Sequence, residues 1–477
     1  MGKYKNLLSN TVVFAVGTFS ARILGFLLVP LYTYALAPEQ FGTAGLIIDT
    51  CNLILPVMFL CIADSIIRFG LDKSVRKSDV FTTGFLTVMI GFAVFLAFMP
   101  FLRRIELISG YTMLVYLYVL ASSMRTLMIF FIRALGHVRL FAFDGVMTTI
   151  TTAGFNVLFL VTLNMGVEGR VLATVAADGL SALCLFLFCR LHRFLKLKSF
   201  DRGIARDMLR YSIPLVPAAV MWWVTNLSDR YFISYMVGLD ANGIYTVAYL
   251  IPTMITYISA IFIQAWQISA FTESGDPHTA QRFFSTVFRS YYTFVFLAVS
   301  GLMLLTKPLV SLLTTRPEYY EAWRYVPFLL IAVAFSCFVS FYGTIYNMAK
   351  RNVMVTVTTA VGSSANIALN FLLIPLWGAQ GAAVSTFASF FVVFLIRAID
   401  TRRYLKLDMQ PIRLAFNLAL LLIQTWIMLT EKPYNSLLQC CVILLILLCN
   451  SRHMLFILRK MMRILYARVR SRAPHAK

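Results

Sequence analysis

Charged residues are scarce in this sequence of 477 residues. Asp, Glu, Lys and Arg make up 13% of it, against about a quarter in a soluble globular chain, and 60% of the residues are apolar. Such a composition excludes a disordered chain, and eight cysteines in this length exclude a small disulfide-stapled scaffold. The surplus of apolar side chains must face lipid, so we expect an integral membrane protein.

Sequence motifs of metal sites and of nucleotide hydrolysis are also missing. No C-x-x-C occurs, and the cysteines lie within or at the ends of apolar segments. The five histidines fall in predicted loops or in the tail, without the spacing of metal ligands. There is no G-x-x-x-x-G-K-[ST] and no hydrolase nucleophile elbow. We predict neither an enzyme nor a bound cofactor.

Long apolar runs fill most of the chain. A window of about 19 residues, the length that crosses the hydrocarbon core, separates about 14 of them. The sequence therefore predicts an all-α polytopic membrane protein. The predicted helices are 10–35, 41–67, 80–102, 109–132, 140–164, 169–189, 211–237, 242–265, 286–306, 322–346, 353–376, 379–398, 412–430 and 434–451.

Acidic residues are outnumbered, with 20 Asp and Glu against 42 Lys and Arg and a net charge of +22. The basic residues concentrate in segment 190–210 and in the tail 452–477, whereas 37–40, between the first two helices, holds none. The positive-inside rule places both basic segments, and hence both termini, in the cytoplasm. The charge therefore indicates topology and contact with anionic lipid, not a nucleic-acid partner. We interpret 190–210 as an amphipathic linker lying on that lipid.

An internal repeat divides the chain into two similar halves. The motif GVEG at 166–169 returns as GAQG at 378–381, and Gly42 in the first half corresponds to Gly243 in the second. Six helices per repeat predict two parallel bundles around a central cavity, an arrangement that suits alternating access. The predicted segments are an N-terminal six-helix bundle 1–190, a basic cytoplasmic linker 191–210, a C-terminal six-helix bundle 211–400, and helices 13 and 14 with a basic tail at 401–477.

Two stretches carry a family resemblance. The run SARILGF at 20–26, followed by PLYTYALAPEQFGTAGLI at 30–47, resembles the start of bacterial polysaccharide-biosynthesis flippases. Ser228 to Tyr231 and GLDANGIYTVAYLIP at 238–252 are similar to the same family. The family includes O-antigen-type oligosaccharide-lipid flippases, in one superfamily with lipid II flippases and MATE multidrug exporters.

This resemblance implies a flippase of the bacterial cytoplasmic (inner) membrane. Its substrate would be an undecaprenyl-diphosphate-linked oligosaccharide, carried to the outer face for surface polysaccharide such as lipopolysaccharide O-antigen. Membrane lipids, the polymerase and other glycan-assembly proteins are the implied partners. Because a diphosphate cannot cross hydrocarbon unaided, we expect a wet, cationic cavity for the head group.

Three arginines lie well within predicted helices: Arg22, Arg125 and Arg230. Each costs about 2.5 to 3.5 kcal/mol at the bilayer centre, so each requires a wet cavity or a charge partner. We expect Arg22 and Arg125 to bind the diphosphate through paired hydrogen bonds. Structural pairing with a nearby Asp or with helix carbonyls is the alternative. Arg230 adjoins Asp229, and a helix cap or salt bridge explains it as well as substrate contact does.

Four further carboxylates lie in predicted helices. Asp49 and Asp178 are deep, and either could carry a coupling H+ or Na+ or pair with an arginine. We expect Asp64 and Asp144 near the cytoplasmic interface, where solvation lowers the cost of their charge. Polar candidates for the cavity wall, which could equally bond between helices, are Asn226, Gln264 and Gln267.

Aromatic residues offer a weaker indication of sugar binding. Trp222, Trp223, Tyr319, Tyr320 and Trp323 could stack on sugar rings, but Trp and Tyr concentrate at membrane interfaces, so we favour an interfacial belt.

Three other functions stay open. A lipid II flippase is the nearest alternative, favoured by the run SARILGF at 20–26. A MATE-type multidrug exporter would instead need an acidic cavity for cationic drugs. A non-transporting scaffold of a glycan-assembly complex would tolerate loss of both Arg22 and Arg125.

Overall fold

The computed structural model describes residues 25–196, 200–272, 277–349, 351–431 and 433–451. Every regular element within these ranges is a helix. Eleven helices in this part of the chain are long and apolar enough to cross a membrane, and Gly25–Ala35 and Asn435–Ser451 are shorter apolar helices. The predicted all-α, multi-pass membrane fold is confirmed.

The chain forms two compact units, of which the first comprises the described residues up to Thr246 and the segment Leu313–Tyr319. Within it, α5 packs against α2, α3, α4, α6 and α7 and is the centre of the unit. Its helices are α1 (Val29–Ala35), α2 (Pro38–Met58), α3 (Ile62–Leu71), α4 (Lys77–Ala97), α5 (Thr112–Ala134), α6 (Val138–Asn156), α7 (Gly166–Phe188), α8 (Arg202–Ser212), α9 (Val216–Met236) and the start of α10 (Leu239–Thr272). Short helical turns are Met99–Leu102, Glu106–Ser109, Leu191–Phe194 and Ile213–Leu215, and a π-helical turn, Val157–Thr162, extends α6.

The second unit comprises Val247–Leu312 and the described residues from Tyr320 onward. In it, α14 packs against both α12 and α13. Beyond the rest of α10, its helices are α11 (Pro277–Leu313), α12 (Val326–Met348), α13 (Asn352–Trp377), α14 (Ala379–Asp400), α15 (Pro411–Thr430) and α16 (Asn435–Ser451), with a short turn at Thr401–Arg403. Another short turn, Pro317–Arg324, begins in the first unit and ends in the second. The division at 190, 210 and 400 remains a prediction.

The helix predicted at 41–67 is in fact two helices, α2 and α3. Pro56 lies inside the last turn of α2, where it has no N–H for the i−4 carbonyl and its ring crowds the preceding turn. Leu60 and Cys61 then take left-handed backbone angles, with φ of 53° and 51°. An uninterrupted apolar run hid this break, because hydropathy does not detect a change of backbone direction.

Backbone geometry repeats where the sequence repeats. Gly166 and Gly378, the first glycines of the two related motifs, have φ of +57° and +59°, a conformation that glycine adopts without a steric penalty. Gly169 and Gly381, the fourth residues, each pass close to a main-chain oxygen of the segment before them. A Cβ there would meet this oxygen at 3.1 Å or less. The two motifs therefore make the same turn into a helix.

Gly42 and Gly243, the other pair that the repeat relates, pack against each other's helices. A Cβ on Gly42 would lie less than 3.0 Å from the Leu239 carbonyl oxygen, and one on Gly243 equally close to the Pro38 carbonyl oxygen. Pro38 and Leu239 each begin a helix and each precede the glycine of that helix by four residues. The first turns of α2 and α10 thus cross in a reciprocal contact that only glycine permits on both sides.

Buried amides hold α15 and α16 within the second unit. Ser300 on α11 donates to Gln424 Oε1 over 2.6 Å, and Gln424 Nε2 donates back to the Ser300 carbonyl over 2.9 Å. Asn450 Nδ2 donates to Asn417 Oδ1 over 2.8 Å. Hydrogen bonds of this kind join membrane helices without the cost of burying charge.

Candidate functional site

Arg125 is the centre of a charged cluster formed by three neighbouring membrane helices. From α5, its guanidinium donates to Asp144 Oδ2 on α6 over 3.0 Å. It also donates to Asp178 Oδ1 over 3.4 Å and to Ser181 Oγ over 3.2 Å, both on α7. Ser122, one turn before Arg125, donates to the other oxygen of Asp178. The cluster is thus a connected network rather than a single ion pair.

Helical spacing explains why these side chains meet. Ser122 and Arg125 are three residues apart on α5, and Asp178 and Ser181 are three apart on α7, so each pair shares one face of its helix. The Ser181 hydroxyl donates to Asp144 and completes the network. One guanidinium faces two carboxylates here, so the cluster carries a net negative charge when both are ionised.

Exposure differs between the charged partners. The Arg125 side chain is 26% exposed, whereas those of Asp144 and Asp178 are 6% and 12% exposed. The expected solvation of Asp144 is therefore wrong, because the protein buries it, while its position at the cytoplasmic interface remains a prediction. Arg125 and Ser181, from the two neighbouring helices, cover it instead. Asp64, by contrast, is exposed on α3.

A second ion pair joins α2 and α9. Arg230 Nη1 donates to Asp49 Oδ2 over 2.7 Å, and Trp223 Nε1 donates to the Asp49 carbonyl over 2.8 Å. Asp229 instead accepts from the Tyr245 hydroxyl over 3.2 Å. Adjacent residues on a helix point about 100° apart, so Asp229 and Arg230 serve different neighbours.

Hydrogen bonds link the surroundings of the two ion-pair sites. The Tyr118 hydroxyl on α5 donates to Asn52 Oδ1 on α2 over 3.4 Å. Tyr118 lies one turn before Ser122, and Asn52 lies three residues after Asp49. Both sites therefore belong to one polar region inside the first unit.

The remaining candidates are Asn226, Gln267, Gln264 and Arg22. Asn226 is half-buried on α9 and has polar interactions of its own, while Gln267 is half-buried on α10 in the second unit. Arg22 and the side chain of Gln264 lie outside the described residues.

Three of the five aromatic candidates are not exposed at the protein surface, as an interfacial belt would require. Trp223, Tyr319 and Trp323 are buried within the protein. Each of them contacts another part of the protein. Trp223 Nε1 donates to the Asp49 carbonyl, and the Tyr319 hydroxyl donates to the Leu36 carbonyl. Lys307 Nζ lies 4.2 Å from the centre of the Trp323 ring. Tyr320 is 40% exposed, and the Trp222 side chain lies outside the described part.

Two arginines escaped the sequence reasoning because they lie near helix ends. Arg170, in the first turns of α7, lies 4.0 Å from the Phe41 ring centre and 4.6 Å from that of Tyr32, and it donates to the Phe41 carbonyl over 3.2 Å. Arg397, near the end of α14, is 3% exposed. A position near a helix end suggests that a charged side chain reaches solvent. Both arginines instead extend their long side chains back into the protein, which hydropathy does not detect.

A cavity of about 450 Å³ opens between the first turns of α2 and α7. Its wall combines carboxylates, amides and an aromatic ring, and it contains the first GVEG motif. The lining residues are Glu39, Gln40, Thr43, Tyr111, Asn164, Met165, Gly166, Val167 and Glu168.

Ionisable side chains that meet inside membrane-crossing helices are typical of membrane transport proteins. Solved transporters share this fold. The lipid II flippase MurJ in an inward closed conformation has a TM-score of 0.66 at 14% identity, covering 94% of this chain and 100% of that one. An inward-facing multidrug resistance MATE family transporter of the MOP superfamily gives 0.61 at 13%, covering 82% and 95%. A mutant of the Vibrio cholerae MATE transporter VcmN gives 0.54 at 14%, covering 84% and 96%.

The particular family follows from the sequence match. The model of the polysaccharide biosynthesis protein family matches residues 7–267, more than half of the chain, so the protein belongs to that family. The resemblance predicted from 20–47 and 228–252 is thereby confirmed. No curated protein matches the sequence.

Proposed function

We propose that this protein is a flippase that moves undecaprenyl-diphosphate-linked oligosaccharide from the cytoplasmic to the outer face of the bacterial inner membrane. Membership of the polysaccharide biosynthesis family and the fold shared with MurJ support this proposal. The observation that carries it is the Arg125 guanidinium, which is held by two carboxylates in membrane-crossing helices and yet is a quarter exposed.

Stability alone gives little reason to keep such a cluster. Replacing a buried ion pair or triad by well-packed apolar residues is often neutral or stabilising, by about 1 to 4 kcal/mol. Carboxylates and guanidinium groups within membrane helices are therefore functional candidates by default. The partial exposure of Arg125 leaves it accessible to a ligand, whereas Asp144 and Asp178 are more deeply covered.

Exchange of anionic partners gives this cluster a mechanism. A diphosphate offers the guanidinium the same planar, paired acceptors as a carboxylate, so it can replace Asp178, the more distant partner at 3.4 Å. A carboxylate that loses its arginine in a low-dielectric site takes up a cation, either H+ or Na+. Substrate binding and ion uptake at Asp178 would then be coupled through Arg125. Asp49 with Arg230 offers a second exchangeable pair in the same unit.

The test uses the native host with this gene deleted and follows radiolabelled sugar in the lipid fraction. We expect undecaprenyl-linked oligosaccharide to accumulate on the cytoplasmic face and wild-type protein to reverse this. Arg125→Ala alone leaves two buried carboxylates uncompensated, at a cost of about 3 to 5 kcal/mol, so loss of its function would be ambiguous. The informative variant is Arg125→Ala with Asp144→Asn and Asp178→Asn, which removes all three charges together.

Membrane abundance and the thermal midpoint show whether the triple variant folds. If it folds and fails to reverse accumulation, the cluster acts in transport; if it folds and rescues fully, the cluster is structural. Arg125→Lys, which keeps the charge without the planar fork, should rescue only in part. Arg22→Ala, measured in parallel, tests the expected second diphosphate ligand.

The excess of carboxylates over arginine in this cluster favours a second candidate, export of cationic compounds. In that case the deletion would leave lipid-linked oligosaccharide unchanged and would raise sensitivity to cationic drugs. If the deletion changes neither the lipid-linked oligosaccharide nor the drug sensitivity, the protein is a non-transporting scaffold.

A further inference from the structure

The helix α8, between the transmembrane helices α7 and α9, has two distinct sides. Ala205, Met208 and Ser212 are buried, and α8 packs against α3 and α4. Tyr211 adds an edge-on ring contact to Phe69 near the end of α3. Because α3 ends at Leu71, this contact places the end of α8 beside the end of α3.

Three arginines form a stripe on the outer side of α8. Arg202, Arg206 and Arg210 follow one another at four-residue steps and are all exposed. Eight residues of helix separate the first from the last, or about 12 Å. Among the described residues, none of the three makes a hydrogen bond or an ion pair. Like charges four residues apart repel each other, so the bare stripe is electrostatically unfavourable.

The carboxylates nearest in sequence do not neutralise this stripe. Asp201 is the N-cap of α8 and accepts from the main-chain N–H groups of Gly203 and Ile204 over 2.8 and 3.2 Å. Asp207 lies about 100° around the helix from Arg206 and three residues before Arg210, but in the described part of the chain it forms an ion pair with neither. On the far flank, Arg68 of α3 lies 5.0 Å from the Tyr211 ring and adds a further positive charge.

Beside the arginines, α8 and the residues directly before and after it form a shallow, open groove with an apolar floor. Its volume is about 610 Å³, and Ile213 on its floor is 47% exposed. A small soluble anion would satisfy the guanidinium groups but would leave the floor in water. A lipid with a phosphate head group satisfies both. The lining residues are Phe200, Arg202, Ala205, Arg206, Leu209, Arg210 and Ile213.

We propose that this groove binds one anionic phospholipid of the membrane leaflet on that side, with the phosphate on the arginine stripe and an acyl chain along Leu209 and Ile213. The sequence predicted only diffuse contact between a basic linker and lipid, whereas the groove forms a discrete site. The proposal does not depend on transport or on the oligosaccharide substrate, since lipid binding is measured without either.

The experiment is a titration of the purified full-length protein with phosphatidylglycerol in detergent, with bound lipid counted by native mass spectrometry. Each basic side chain near an anionic surface contributes about 1 kcal/mol, a factor of about five. Arg206→Gln with Arg210→Gln is therefore expected to weaken the first bound lipid by about 25-fold. Arg206→Lys with Arg210→Lys keeps the charge and should lose less than about fivefold.

The matched control is Arg103→Gln with Arg104→Gln, which removes two exposed arginines of the same unit from the connection between α4 and α5. We expect the control to bind like the wild type. Equal loss in the control, or no loss in the α8 variant, would overturn the proposal. Undecaprenyl phosphate is the competing probe. If it binds through Arg206 and Arg210 and excess phosphatidylglycerol fails to displace it, the groove takes the polyprenyl carrier and not a phospholipid.

Discussion

Substituting alanine for Gly42 tests the reciprocal crossing of α2 and α10. Alanine favours a helix over glycine by about 1 kcal/mol, so the substitution would stabilise α2 if space allowed. At Gly42, however, the new Cβ would lie less than 3.0 Å from the Leu239 carbonyl oxygen, which is main chain and cannot rotate away. A carbon and a carbonyl oxygen make contact at about 3.3 to 3.6 Å, so the two helices must move apart.

The expected magnitude follows from a control in the same helix. Gly45 lies on α2 three residues after Gly42, and a Cβ there would meet nothing within 4 Å. Both substitutions carry the same gain in helix propensity, which cancels when Gly42→Ala is compared with Gly45→Ala. The difference between them is the overpacking cost, about 1 to 3 kcal/mol.

The assay is the thermal midpoint of unfolding of the purified variants in one detergent. For a cooperative unit of about 150 to 250 residues, 1 kcal/mol corresponds to roughly 2 to 4 °C, so Gly42→Ala should melt several degrees below Gly45→Ala. Gly243→Ala should behave like Gly42→Ala. The double variant should cost less than the sum, because one separation of the helices relieves both contacts. Equal midpoints for Gly42→Ala and Gly45→Ala would refute the close crossing.

Three further predictions concern the second unit, each read from the thermal midpoint. Gly378→Ala places a side chain at φ +59° and ψ −143°, a backbone conformation close to glycine-only, so we expect a loss of about 1 to 3 kcal/mol. The helical control Gly301→Ala should gain up to about 1 kcal/mol, and a gain in both variants would contradict the strained turn at Gly378. Asn450→Leu removes a partner of the buried amide Asn417, at a cost of about 1 to 3 kcal/mol, and an unchanged midpoint would show that this network adds no stability. Arg397→Lys keeps the charge but loses the planar guanidinium, which donates to several acceptors at once, so the thermal midpoint should fall. An unchanged midpoint would show that the positive charge alone is enough for stability.

Much of the fold was readable from composition and spacing. Apolar runs placed the membrane helices, and the first glycines of the GVEG and GAQG motifs prove to have nearly the same positive φ. The break in helix 41–67 was missed because one-dimensional hydropathy averages over Pro56. Such a window registers how apolar a segment is, but it carries no information on where the chain changes direction.

The site was predictable residue by residue but not as a set of partners. Arg125, Asp178 and Asp49 were selected because charge is costly inside a membrane. Their pairing depends on which faces of α5, α6 and α7 meet, and a single sequence does not supply helix rotation. Asp144 is an example. Its position near a helix end predicted a solvated side chain, but side chains of the neighbouring helices bury it.

Arginine joins the equivalent three helices of each repeat, but with different chemistry. In the second unit, Arg397 extends from α14 and donates to the Val339 carbonyl of α12 and, on α13, to the Val355 carbonyl and the Thr358 and Thr359 hydroxyls. All four acceptors are neutral at physiological pH, so none carries a charge that substrate or a proton could neutralise.

In the first unit, Arg125 connects α5 to α6 and α7 through carboxylates, which are anionic and can bind a cation in place of the arginine. The two arginines also differ in exposure. The side chain of Arg125, which has charged partners, is 26% exposed, whereas Arg397, which has neutral partners, is 3% exposed. An arginine that can exchange partners is suited to a moving anion, whereas one enclosed by neutral acceptors is suited to holding helices together. We therefore expect substitutions at Arg397 to lower stability first, and the charge-compensated substitution at Arg125 to lower transport while the protein stays folded.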